Sequence, residues 1–352
     1  MFEVSLLPAR EGDCIWIRYG TEAAPRQILI DGGRSATAKS LADRLGGMSA
    51  GQREFELWIV SHVDRDHIEG VYKLLSGRTL KARFKDIWFN GYGHLQRTGL
   101  ESFGAVQGER LSALLLDGRH SWNGAWKKRA VCVGKGALPR RKLAGGLQLT
   151  LLSPDAAKLS ALVPDWEREC KRAGLYAGIG SRPAEARGLE SFGALDIDSL
   201  AELKFDPDPA TANGSSIAVL AEFGGKRLLL AADAHADRLV ESLKKLKGSA
   251  KRVAIDAFKI SHHGSEHNLS KEVLSLVDCR RYLISTNGAY FKHPSPIAVA
   301  RIVKYGGKGA TIYFNYRSRY TEIWDNPAWQ ARYGYRTQYP ARRDPGVLRL
   351  TL

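Results

Sequence analysis

Residues 61–70, SHVDRDHIEG, set two histidines and two aspartates within six positions, directly after the apolar run ELWIV at 56–60. A short apolar run bounded by polar residues reads as a buried strand. After it, Ile68, Val71, Leu74 and Leu75 recur at helical spacing and the pattern closes at Gly77. Strand, polar loop and helix in that order belong to an α/β chain. The loop is either a solvated acidic turn or a set of metal ligands, and a solvated turn has no need of histidines at both ends.

The same punctuation recurs elsewhere. ILID ends at Asp31, LLLAAD at Asp233 and FKISHH at His262 and His263, and a further histidine, His293, sits in FKHP. Metal binding requires deprotonated donors that converge from several segments, each on a rigid strand end. His94, His120, His235 and His267 lack such placement. Any one of these histidines, taken alone, reads better as a satisfied core or loop residue; the joint pattern is what points to a metal.

Around these motifs the expected elements alternate. FEVSLL, IWIRYG and RQILIDGG read as strands, LADRLGG as a short helix and FELWIVS as a strand. From 214 onward SSIAVLAEF and KRLLLAAD form a hairpin across GG, followed by helix ADRLVESLKKL, strand IDAFKIS, helix SKEVLSLV, strand RYLIST, helix PIAVARIVKYG and strand ATIYFNY. Residues 90–210 are less regular and read as a long elaboration of the core, with a flexible stretch near 178–198. The heptapeptide GLESFGA stands at both 99 and 188 and has no explanation in the sequence. Residues 321–352, aromatic and basic, read as a C-terminal arm that contacts a partner or stacked bases, or else packs on the core.

The chain has 352 residues, an apolar fraction of 44% and a mean hydropathy of -0.28, which fit one elaborated soluble domain and leave no stretch for a membrane span. Its start, MFEVSLLPAREGDCIWIRYG, lacks the pattern of a secretory signal, so a cytoplasmic location is expected. Cys14, Cys132, Cys170 and Cys279 have no CxxC spacing and are expected to stay reduced. With 53 lysines and arginines against 37 acids the net charge is +16 and the pI about 9.7. Such a field attracts polyanions, although the basic clusters at 126–131, 138–143, 243–248 and 339–344 are scattered along the chain.

On its H-x-D-x-D-H at 62–67, the chain resembles the metallo-β-lactamase-fold metallo-hydrolases, whose hallmark is H-x-H-x-D-H after a strand. Gly12-Asp13, ILIDGG, the N-x-x-S of ANGSSI, LLLAAD, HHGS and the late HP follow in an order similar to the hydrolase domain of DNA-uptake competence channel proteins (ComEC type), across residues 1 to about 305. The resemblance implies a four-layer αββα sandwich over 1–320 that holds two divalent ions, Zn2+ or Mn2+, with Mg2+ as a further candidate. His62 and Asp64 would hold the first ion, with Asn213 where many relatives have a third histidine. Asp66 and His67 would hold the second, completed by His263 or His262. Asp233 would bridge both, Asp31 would orient ligands from behind, and His293 would contact the substrate or leaving group. Asp66, Asp233 and His293 would thus carry the chemistry.

Asp64 and Asn213 replace imidazoles by oxygen donors, which suit harder ions. Two such ions favour in-line displacement at a phosphodiester, and the positive charge favours nucleic acid. The expected activity is therefore that of a metal-dependent nuclease or phosphodiesterase on DNA or RNA. A hydrolase of a small substrate (cyclic nucleotide, lactone or thioester) and a non-catalytic nucleic-acid-binding component are the alternatives. Resemblance to stand-alone components of bacterial anti-phage defence also implies a regulatory protein partner; no membrane partner is expected.

Overall fold

A computed structural model describes residues 1–77, 80–95, 106–172, 195–342, 344 and 346–352. Strands β1 (Phe2–Leu6), β2 (Ile15–Gly20) and β3 (Pro25–Ile30) form an antiparallel meander, followed by α1 (Ser35–Gly46). Next come β4 (Glu54–Phe55), β5 (Leu57–Ile59), α2 (Arg65–Ser76), β6 (Arg83–Phe84) and β7 (Ile87–Trp88). β5 and β7 extend the meander in parallel with β3, while β4 and β6 pair with each other. In β5, Leu57 and Ile59 enter the core between the sheets and Trp58 enters the core under the helices. Burial on both faces is why this strand reads as an unbroken apolar run.

The chain continues through α3 (Val106–Leu116), β8 (Arg140–Lys142), β9 (Gln148–Ser153), α4 (Ala156–Arg172), α5 (Ile197–Glu202), α6 (Thr211–Gly214), β10 (Ala218–Phe223) and β11 (Lys226–Leu230). It then passes through α7 (Ala236–Lys247), β12 (Val253–Ala254), β13 (Ala257–Lys259), α8 (Lys271–Ser275), β14 (Val277–Asp278), β15 (Arg281–Ile284), α9 (Pro296–Tyr305) and β16 (Thr311–Phe314). α10 (Pro327–Tyr333), β17 (Arg336–Gln338) and β18 (Leu348–Thr351) close it. The second sheet runs β17-β16-β15-β13-β11-β10-β9-β8, and the first runs β18-β1-β2-β3-β5-β7.

The two sheets face each other across one apolar core that includes Ile17, Ile28, Leu149, Val219 and Leu228. Leu41 of α1, Val71 of α2 and Trp166 of α4 cover the far side of the first sheet; Leu239 of α7, Val273 of α8 and Val299 of α9 cover the far side of the second. The architecture is α/β, a four-layer αββα sandwich. Parts of the elaboration expected at 90–210 belong to the layers themselves, since β8 and β9 extend the second sheet and α4 packs on the first. Both copies of GLESFGA, and most of the stretch at 178–198, lie outside the described residues.

The C-terminal arm expected at 321–352 requires correction. β17 pairs with β16 and β18 with β1, so the segment closes an edge of each sheet. Trp324 and Tyr335 are buried in the core of the second sheet, and Leu348 and Leu350 in the core between the sheets. Each such side chain contributes about 1.5–3 kcal/mol by burial, while Arg332, Arg336, Arg342 and Arg349 between them stay exposed and keep their solvation.

Candidate metal centre

β3 and β5 are parallel, as are β11, β13 and β15, so their C-terminal ends open on one edge of the sandwich. The chain leaves three of these strands through left-handed backbone: φ is 57° at Asp31, 48° at Ala232, 45° at His262 and 52° at His263. Non-glycine residues adopt this region at a cost of about 1–2 kcal/mol each, and such outliers gather at functional sites. Gly12 lies against the other side of the cluster, where a Cβ would stand 1.8 Å from the Asp66 carbonyl oxygen.

α2 begins at Arg65, which puts Asp66 and His67 in its first turn and Asp64 at the N-cap. Aspartate is among the best capping residues, yet Asp64 makes no side-chain cap bond, and its Oδ2 is 3.5 Å from His62 Nε2. Asp66 and His67 are buried, whereas the Asp64 side chain is 43% exposed.

Four imidazoles share one arrangement. His67 Nδ1 donates to Asp31 Oδ2 at 2.7 Å, and His263 Nδ1 to the Ser285 carbonyl at 2.8 Å. His262 Nδ1 donates to Asn268 Oδ1 at 2.8 Å. Ser61 Oγ donates to Asp31 Oδ2 at 2.7 Å and therefore accepts from His62 Nδ1 at 2.9 Å. Each Nδ1 is thus engaged as a donor, so each ring, once neutral, offers its lone pair at Nε2. Those four atoms converge on Asp233 Oδ2, at 3.9 Å from His62, 3.3 Å from His67, 3.8 Å from His262 and 3.5 Å from His263. Asp66 Oδ2 is 3.7 Å from His263 Nε2 and 4.0 Å from His67 Nε2.

His62–His67–Asp233 and Asp66–His67–His263 form two buried triads of ligand atoms that meet at His67. Several of their atoms lack a partner that the protein could supply. His62 Nε2 and Asp233 Oδ1 are buried without a hydrogen bond, and the Nε2 atoms of His67 and His263 face each other at 3.1 Å. Two lone pairs at that distance require a proton or a cation between them. The donor set of imidazole nitrogens and carboxylates fits a divalent metal.

The charge balance agrees. Burial opposes ionisation of Asp233, but His263, His67 and His262 hold its carboxyl well below the usual range. Burial likewise lowers His67, yet Asp233 and Asp31 hold it well above the usual histidine value. For His262 burial is again overcome, by Asp233 and Asp208, and its pKa is pushed up to about 9. In the metal-free protein protons supply the positive charge that a bound ion would provide.

Both His262 and His263 reach Asp233. Adjacent residues point to opposite sides only on an extended strand; here β13 has ended at Lys259 and the pair sits in a left-handed turn. Asn213 is placed differently from the other expected ligands. Its Nδ2 donates to Asp208 Oδ2 at 2.7 Å and lies 3.3 Å from His262 Nδ1, and its buried Oδ1 has no partner. His293 packs edge-on against His262 with ring centroids 5.3 Å apart, and burial together with His262 and His263 holds its pKa well below the usual value, so it is neutral near pH 7.

Sequence reasoning missed four partners. Ser61 links Asp31 to His62. Asp208 accepts from both Asn213 and Asn268 and lies 3.5 Å from His262 Nδ1. Asn268 orients His262. Lys259, fully buried on β13, pairs with Asp13, whose Oδ1 lies 3.7 Å from His263 Nδ1. The two acids of DPDP, five and seven residues ahead of Asn213, are the available signal for Asp208; the others carry none.

Fold and side chains together define a metal-centre protein on a four-layer αββα frame. No protein-family model matches the chain, and no curated protein does. Among solved structures it is similar to Igni18, a metallo hydrolase from the archaeon Ignicoccus hospitalis, at 12% identity and a TM-score of 0.41, with 99% of each chain covered. It is also similar to the metallo-β-lactamase-fold protein YhfI from Bacillus subtilis, at 8% identity and a TM-score of 0.43, again with 99% of each chain covered. CmlA, a diiron β-hydroxylase from Streptomyces venezuelae, matches over all of this chain and 54% of its own length, at 10% identity and a TM-score of 0.43.

Proposed function

We propose that this protein is a metal-dependent hydrolase that holds two divalent ions and cleaves phosphodiesters, with nucleic acid as substrate. One observation carries the reading: four buried imidazoles, each tied down at Nδ1, present Nε2 to the same carboxylate. His62, Asp64 and His262 would hold one ion, Asp66, His67 and His263 the other, and Asp233 would lie between them. When bound, the ions would supply Lewis acidity at the oxygens of an in-line displacement. Asp31, Ser61, Asn268 and the Ser285 carbonyl keep the donors aligned, so little reorganisation is needed as charge develops. His293, neutral and at the rim, offers a hydrogen bond to a substrate or leaving-group oxygen.

A small substrate is favoured by one feature, a cavity of about 290 Å³ beside His293 with Leu200, Phe291, Pro296 and Ile297 in its wall. The test is incubation of protein loaded with Mn2+ or Zn2+ with labelled DNA and RNA and with bis-p-nitrophenyl phosphate. Cleavage that disappears in Asp233→Ala supports the reading. Loaded protein that hydrolyses none of these overturns it, and turnover of lactones or thioesters alone transfers the site to the small-substrate reading.

A further inference from the structure

Three of the four scattered basic clusters meet on one flank of the sandwich. Arg141 of β8 donates to the Ala125 carbonyl at 3.0 Å and its guanidinium covers the Trp126 ring at 4.1 Å, which ties 126–131 to 138–143. Lys245 of α7 donates to the Gly136 carbonyl at 3.2 Å, which ties 243–248 to the same flank. Arg141 faces the inter-sheet core, because its partner Leu149 does. By alternation, Arg140 and Lys142 stand on the opposite face of the edge strand, where α7 lies. Lys127, Lys128, Arg129, Arg140, Lys142 and Lys245 are all exposed.

Two features separate this flank from ordinary solvated charge. From residue 118 to 154 the chain has eight basic residues and no acid, and from 242 to 255 five and none. Among the described residues, none of the six side chains named above forms an ion pair, whereas the adjacent Lys244 pairs with Glu272. The loop that carries the lysines is also built. Asp86 accepts from the backbone N–H of Gly124 at 2.9 Å and of Ala125 at 3.0 Å, and Asn123 donates to the Arg129 carbonyl at 3.1 Å. Lys127 and Lys128 are held at φ of 54° and 58°, left-handed backbone that lysine adopts at a cost. Charge on an edge strand also blocks strand addition, but that accounts for Arg140 and Lys142 and not for the loop or the missing acids.

We infer that this flank is the docking surface for the phosphate backbone of a nucleic acid. Unpaired cations in a fixed array recognise a polyanion by charge and counterion release. A membrane surface fits less well, since amphipathic membrane binding needs apolar side chains beside the cations. The exposed large hydrophobics among the described residues, Leu116, Leu203, Tyr290, Phe291 and Ile323, all lie outside these segments. The inference deepens the nuclease reading and rests on it for the fate of the bound strand, but not for binding itself.

The experiment compares the full chain with Lys127→Gln/Lys128→Gln/Arg140→Gln/Lys142→Gln and with a control of equal charge loss, Lys39→Gln/Lys73→Gln/Lys81→Gln/Lys308→Gln. Anisotropy of labelled single- and double-stranded DNA and RNA is read across a salt series, with phosphatidylserine vesicles as a further probe. The flank variant should bind about tenfold or more weakly and lose about 3 from the log–log salt slope, at roughly 0.7–0.9 per phosphate contact. The control should stay near wild type, and hydrolysis of bis-p-nitrophenyl phosphate should not change. Equal loss in both variants, no binding by wild type, or binding to vesicles alone overturns the inference. Binding through the flank without cleavage sinks the nuclease reading and leaves the surface standing; cleavage that ignores the flank variant does the reverse.

Discussion

The first sheet and the second sheet each bring two imidazoles to the centre, but by different means. His62 and His67 share one buried carboxylate, Asp31, which reaches His67 directly and His62 through Ser61. His262 and His263 donate to neutral acceptors, the Asn268 amide and the Ser285 carbonyl, with a carboxylate farther off, Asp208 at 3.5 Å from His262 Nδ1 and Asp13 at 3.7 Å from His263 Nδ1. A carboxylate behind an imidazole raises its basicity as a ligand, and a neutral acceptor fixes its orientation with less gain. The first sheet therefore ties its imidazoles to one closely bonded carboxylate, and the second provides Asp233, the carboxylate that all four Nε2 atoms share.

The severest test of this division is Asp233→Ala. It removes the shared carboxylate, so metal stoichiometry measured by mass spectrometry should fall below two per chain, and hydrolysis should drop by about 10³-fold or more. Undiminished metal content would show that Asp233 holds nothing. Asp31→Asn comes next, with an expected loss of about 10–100-fold in metal affinity. Asn268→Ala should cost less, under about tenfold, because the amide that accepts from His262 is neutral. A larger effect at Asn268 than at Asp31 would reverse the comparison.

The fourth prediction concerns pH. His262 titrates at about 9 without metal, above the ordinary histidine value. A raised folded-state pKa contributes stability that is full below about 6.5 and lost as pH rises through about 9. The metal-free protein should thus lose thermal stability between those values, while metal binding, which must displace protons, should tighten over the same window by up to about tenfold per unit for each proton displaced. Calorimetric titrations at several pH values read both; metal affinity that does not vary with pH would place both His262 and His67, whose pKa is also raised, outside the ligand set.

The smallest effect is expected at Ala232→Gly. Ala232 holds φ of 48° beside Asp233, where glycine is free of the strain. Relief of about 1–2 kcal/mol against an entropy cost of about 0.4–1 kcal/mol should leave a gain between about 0 and 1.6 kcal/mol in denaturant unfolding. Loss of stability would mean that the alanine methyl packs too well to give up.

Much of the fold is legible in the sequence because both strands and helices bury a definite face. The run at 56–60 and the spacing of Ile68, Val71, Leu74 and Leu75 yield β5 and α2 directly, and the hairpin around Gly224 and Gly225 follows from its turn. The terminal segment reads as an arm because its apolar residues are interspersed with arginine and proline; only pairing with β16 and β1 makes it a sheet edge. Ser61, Asn268 and Lys259 escape notice for a related reason, since serine, asparagine and lysine announce no role until a partner is near.

The sequence by itself determined which residue types stand at the strand ends: His62, Asp64, Asp66, His67, Asp233, His262 and His263 are there because strand and loop patterns are local. Tertiary structure decided the rest. The left-handed turn at 262–263 brings both histidines to one side, Asn213 is drawn to Asp208, and basic clusters more than a hundred residues apart come to share a flank. Hydrogen bonds and charge act across space and depend on distances that periodicity along a chain does not encode.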